Sequence, residues 1–168
     1  MTLLFAVKTG LRLGLGAVNL ALVVLLLSSQ ALAGEQYVDR EGRAIDGYDA
    51  VTYFTEEAPV MGLAEITAQY NGATWQFASE ANRAAFLANP QRYIPAYDGH
   101  CAWAVANGYK ARTDPLAYRI VDDQLYLNYD AGIQRRWEGD IEGHIRQSEA
   151  NWPQIEDEPA SAPRRRWF

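Results

Sequence analysis

The chain has 168 residues, with 15 Lys and Arg against 21 Asp and Glu, two His and one Cys. Hydrophobic residues make up 49%, enough for a packed core, which excludes a wholly disordered chain. The net charge of -6 argues against nucleic acid as the main partner, and a single Cys excludes an internal disulfide framework or a multi-thiolate zinc finger.

Residues 1–33 read as a secretory signal. Lys8 and Arg12 are the only charges before Glu35. Leu13 to Leu27 is apolar or Gly except for Asn19, Ser28-Ser29-Gln30 breaks the run, and Ala31-Leu32-Ala33 supplies the small residues a peptidase needs. The apolar run is shorter than the ~20 residues of a spanning helix, so cleavage after Ala33 is expected rather than a retained anchor. Without an Arg-Arg pair the route is Sec rather than Tat, and the destination is the periplasm or the medium.

Residues 34–45 are polar and charged and read as a lead-in to a single domain over 46–155. Two hairpins are expected within it. Asn71-Gly72 stands between Ile66–Tyr70 and Thr74–Ala78, and this pair suits a type I′ turn. Asp122-Asp123 stands between Tyr118–Val121 and Gln124–Tyr129. Trp75 and Phe77 share one strand face, as do Leu125, Leu127 and Tyr129.

About three helices are expected. Ser79 caps one over Glu80 to Asn89, stopped by Pro90. Asp98 caps a short one through Asn107, with Gly108 as its left-handed end. The third runs from Ala131 to about Asn151, before Pro153, with Ile133, Trp137, Ile141, Ile145, Ser148 and Trp152 in one apolar stripe. The class is therefore α+β, a small single domain of antiparallel hairpins packed with helices. No internal repeat is visible at solenoid periods.

The tail from Glu156 to Phe168 has three acids, two Pro and three Arg, and is expected to be mobile. Arg164, Arg165, Arg166, Trp167 and Phe168 form a basic, aromatic end suited to weak contact with an anionic membrane surface.

The stretches GYDAVTYF, YNGATWQFASEANRAAFLANPQRYIPAY, GHCAWAVANGY, DPLAYRIVDDQLYLNYD, RRWEGDI and NWP together resemble the YHS domain family, in particular its exported bacterial members. The resemblance runs from about Asp46 to Pro153. It implies a unit built on a hairpin followed by a helix, and a link to metal binding. In metal-linked members the strand-to-helix junction carries two Cys four positions apart; here Ala78 and Asn82 stand at those positions. A methyl and a carboxamide do not replace two thiolates, so a metal role is not inherited there.

The remaining soft donors are His100, Cys101 and His144. Cys101 has three readings: a small buried residue, a metal ligand, or a redox-active or dimer-forming thiol. His144 falls within the apolar stripe, as a core-edge histidine or as a ligand reaching Cys101 across the core. Two imidazoles and one thiolate suit copper or zinc. The Tyr, Trp and Phe side chains either pack the core or line a pocket for a small apolar or cationic ligand. No HExxH, Walker A or dinucleotide motif is present, and no Ser sits in a nucleophile elbow. The expected function is an exported, non-catalytic accessory or binding module associated with a metal through Cys101, His100 and His144. The alternatives are a structural or protein-interaction module without metal, and a thiol-based redox protein.

Overall fold

The computed structural model describes residues 34–160 and 162. The expected signal segment and the Arg164–Phe168 end lie outside the described residues. Among those described, no helix is long and apolar enough to cross a membrane.

The first hairpin joins β1 (Leu63–Tyr70) to β2 (Ala73–Phe77). Its turn residues Asn71 and Gly72 have φ of 48° and 72°, the left-handed conformation that Asn-Gly tolerates. A short helix α1 (Thr52–Thr55) precedes it, and α2 (Glu80–Ala88) follows, its first turn capped where Ser79 Oγ accepts the Asn82 N–H at 3.1 Å. Because side chains alternate along β2, Trp75 and Phe77 face the same way, and both rings meet Phe86 of α2. This aromatic centre, joined by Leu125 and Leu127, is the larger core.

The second hairpin repeats the plan. Strands β3 (Asp114–Val121) and β4 (Gln124–Asn128) are joined by Asp122 and Asp123 with φ of 49° and 61°. Asp130 then caps a helix through the Ile133 N–H at 2.8 Å. The bulge between Leu63 and Thr67 recurs between Asp114 and Tyr118, fifty-one positions on. Upstream, the left-handed turn at Ile45, Asp46 and Gly47 recurs at Tyr97, Asp98 and Gly99. Arg43 bridges Thr74 in parallel, and Pro95 bridges Leu125 in the same way. The domain is thus two copies of one sequence of elements: left-handed turn, short helix, hairpin, capped helix.

Three expectations are corrected. The helix from Ala131 is two helices, α4 (Ala131–Glu138) and α5 (Ile141–Ile155). Gly139 weakens the first, and Asp140 starts the second by accepting the Gly143 N–H at 3.0 Å. Pro153 lies inside α5, whose last turn continues because Ile155 is buried. The short helix α3 (Ala102–Ala106) is not capped by Asp98, which sits in the left-handed turn at φ 50°. Cys101 is itself the N-cap residue, while Gly108 ends the helix at φ 80° as expected.

Residues 34–45 are integral to the domain. The Tyr37 N–H donates to the Asp98 carbonyl at 2.8 Å and the Ala44 N–H to that of Thr74 at 3.0 Å, and Tyr37, Ala44 and Ile45 are buried. The start of the tail is tied as well, since Lys110 Nζ donates to the carbonyls of Glu156 and Glu158 at 2.8 and 2.6 Å.

Candidate functional site

The two repeats hold two equivalent positions at the mouth of their short helices, and they carry different chemistry. In the first, Asp49 is fully buried. Its Oδ1 accepts the Val51 N–H at 2.9 Å, and its Oδ2 accepts the Ala78 N–H at 2.8 Å and the Asn82 side-chain amide at 2.7 Å. Ala78 and Asn82 are the positions where the resemblance would place a thiol pair. Here they hold a carboxylate clip that ties α1 to the β2–α2 junction, with every one of these partners a donor.

In the second repeat Cys101 takes the place of Asp49. Its counterparts to Val51, Ala78 and Asn82 are Trp103, Tyr129 and Ile133. Cys101 is 1% exposed. Burial pushes its thiol up, while the backbone N–H groups of Ala104, Tyr129 and Trp103 pull the other way. The Cys101 S–H points at Asn128 Oδ1 at 3.8 Å, and that oxygen also accepts the Trp103 N–H at 3.3 Å. Asn128 is fully buried, and its Nδ2 has no acceptor among the described residues.

Ile133 stands here in place of the amide of the first repeat. A cleft of about 270 Å³ opens there, lined by Cys101, Trp103, Tyr109, Tyr129, Asp130 and Ile133 among others. The Arg112 guanidinium lies 4.0 Å from the centre of the Tyr129 ring and donates to the Tyr129 hydroxyl, which fixes that wall. The Asp130 carboxylate caps α4 at the rim. The cleft is small and mostly apolar, with aromatic walls and one carboxylate at its rim.

The two histidines lie in other surroundings. The His100 ring is fully buried against Tyr37 and Trp152, with ring centroids at 5.8 and 6.2 Å. Its Nδ1 is 3.0 Å from the Tyr97 carbonyl, which can only accept, so Nδ1 carries the proton. Burial lowers its pKa to about 4, against that hydrogen bond. His144 is half-buried on α5 and places Nδ1 2.9 Å from the Trp137 carbonyl across the α4–α5 break. The stripe drawn through one continuous helix does not apply, because the break re-aims α5. Neither histidine lines the cleft around Cys101. Among the described residues no group of three or more His, Cys, Asp and Glu side chains is placed to hold a metal ion. His100, Cys101 and His144 therefore do not fit a single copper or zinc ion.

Sequence reasoning singled out Cys101 but missed Asp49, Arg112, Asn128, Tyr129 and Ile133. The one available signal was the recurrence of Asp-Gly at Asp46-Gly47 and Asp98-Gly99, which would have aligned the repeats and placed Cys101 opposite Asp49.

The sequence model of the YHS domain matches residues 51–97. No curated protein and no solved structure matches the chain. The match holds the first hairpin, α2 and the Ala78 and Asn82 positions, and it ends before His100, Cys101 and His144. Over residues 51–97, therefore, the chain carries a YHS domain.

Proposed function

We propose that the protein is an exported, non-catalytic binding module whose ligand is a small, largely apolar molecule held in the cleft over Cys101. The observation that carries this reading is the cleft itself, about 270 Å³ with walls of Trp103, Tyr109, Tyr129 and Ile133. That volume is near the lower end for ligand pockets, so it suits a single ring or a short alkyl chain. The reading is non-catalytic because the buried groups are poor reactants: the thiol is raised rather than activated, and His100 is held neutral away from it. Export is supported by the charge, apolar run and small-residue pattern of residues 1–33.

The test is a titration with indole followed by nuclear magnetic resonance. Saturable shifts centred on Trp103, Tyr109, Tyr129 and Ile133 are expected. Shifts that do not saturate, or that centre elsewhere, would remove the proposal.

A protein-interaction role keeps one observation in its favour. Val60, Met61 and Leu63, at the entry to β1, are all 44–47% exposed. Under that reading Met61→Glu, and not a change in the cleft, would abolish association.

A further inference from the structure

Gly34 is buried, and its backbone lies between two acids. A methyl group built on it would stand 2.4 Å from Asp98 Oδ2 and 2.9 Å from both Cγ and the carbonyl oxygen of Glu156. A side chain would have to push Asp98 or Glu156 aside, so Gly34 lies closely against both.

The surroundings hold buried acceptors that lack donors among the described residues. Asp98 Oδ2 is buried and has no hydrogen-bond partner among the described residues. Gln36, only 4% exposed, donates Nε2 to the Asp98 carbonyl at 2.8 Å, while its own Oε1 is buried without a donor. Lys110 is the nearby cation, but its ammonium is held by the carbonyls of Glu156 and Glu158 and lies 5.3 Å from the centre of the Trp152 ring. Glu35 accepts the Ala160 N–H at 2.9 Å, and His100 is packed neutral close by. Burial and the Glu156 charge raise Asp98 to about 6, with Lys110 opposing. A buried carboxyl in that state stands where a positive charge would be stabilised.

We propose that the slot formed by Asp98, Gln36 and Glu156 receives the α-ammonium group that Gly34 acquires when the Ala33–Gly34 bond is hydrolysed. Water adds across the amide bond; Ala33 takes the carboxylate and Gly34 takes the amine, which protonates. The inference rests on the export reading, and two separate features meet at one residue: a cleavage pattern in the sequence and a slot in the fold. Processing then completes the structure. The new ammonium neutralises Asp98, joins the lead-in to the end of α5, and distinguishes the processed fold from the leader-bearing one.

The full chain is expressed with its own leader, the exported protein is collected, and its N-terminus is sequenced. The pH dependence of acylation of the terminal amine is then measured in the folded protein, natively and with Asp98→Asn or Glu156→Gln. We expect Gly34 at the terminus, with an amine that titrates above the usual range of about 7.7–8.0 and reacts about tenfold more slowly at pH 8 than in the unfolded protein. Asp98→Asn should return both values to normal, with Glu156→Gln giving a smaller change of the same sign. If Asp98→Asn does not fold, the native midpoint and Glu156→Gln carry the comparison. Gly34 at the terminus with an ordinary amine would overturn the inference and leave export standing. A terminus elsewhere would overturn the inference and the expected cleavage site, and failure to recover exported protein would overturn the export reading.

Discussion

Replacing Asn82 by alanine removes one donor from the Asp49 carboxylate and leaves the Val51 and Ala78 N–H bonds in place. The lost bond is 2.7 Å long and ends on a fully buried, charged acceptor. A hydrogen bond to a charged group contributes about 1.5–3 kcal/mol, so Asn82→Ala should cost about 2 kcal/mol. Against a total stability of about 5–15 kcal/mol this is readily measured. In urea, with a slope of about 1–3 kcal/mol/M, the midpoint should fall by about 1 M while the slope stays the same. Asp49→Asn should cost more, because its NH₂ must face a donor: Val51 N–H on one side, or Ala78 N–H and the Asn82 amide on the other. Combining Asp49→Asn with Asn82→Ala removes both ends of one contact. The double variant should therefore be less destabilised than the sum, by about 1 kcal/mol or more. Costs that add to within about 0.5 kcal/mol, or an Asn82→Ala cost below about 0.5 kcal/mol, would refute the clip as the replacement for the thiol pair.

Further outcomes follow from single residues. His100 is held near a pKa of about 4 against about 6.5 unfolded, so its contribution is full above pH 6.5 and is lost as pH falls through 4. Its share of acid destabilisation is about 3 kcal/mol, and His100→Gln should flatten the stability curve between pH 6.5 and 4 relative to the native protein; an unchanged slope counts against it. Cys101, buried and raised, should react with an aromatic disulfide at least about a hundredfold more slowly in the folded than in the unfolded protein, and equal rates would restore the redox reading. Gly62→Ala would bring a methyl within 2.5 Å of the Gln76 backbone and should cost about 2 kcal/mol or more by thermal melting. A neutral effect would mean that β2 moves freely at that point.

Local chemistry explains which parts of the fold were legible in the sequence. Asn71-Gly72 and Asp122-Asp123 fix their turns through their own φ preferences, and Ser79 fixes a helix start through its own hydroxyl, so each could be read in place. Asp98 could not. Its left-handed turn is held by the Gln36 side chain and the Tyr37 backbone, both bonded to its carbonyl from far along the chain. The α4–α5 break was hidden because apolar residues continue at helical spacing across Gly139 and Asp140, and the wheel assumes one axis. The duplication was hidden because backbone register carries it, while the side chains at matched positions differ: Asp49 against Cys101, Asn82 against Ile133. Cys101 was legible as a rare residue. Its cleft was not, since Tyr129 comes from the residue just after β4, Ile133 from α4 and Tyr109 from the loop after α3.

The second repeat keeps a cleft beside the buried Cys101 at the position where the first repeat closes a hydrogen-bonded clip around Asp49. Equilibrium binding of indole to Ile133→Trp tests it most directly, because the larger ring fills the cleft without touching the clip. The account predicts that saturable binding is lost while the melting temperature is kept or raised. Native affinity in the folded variant would contradict it.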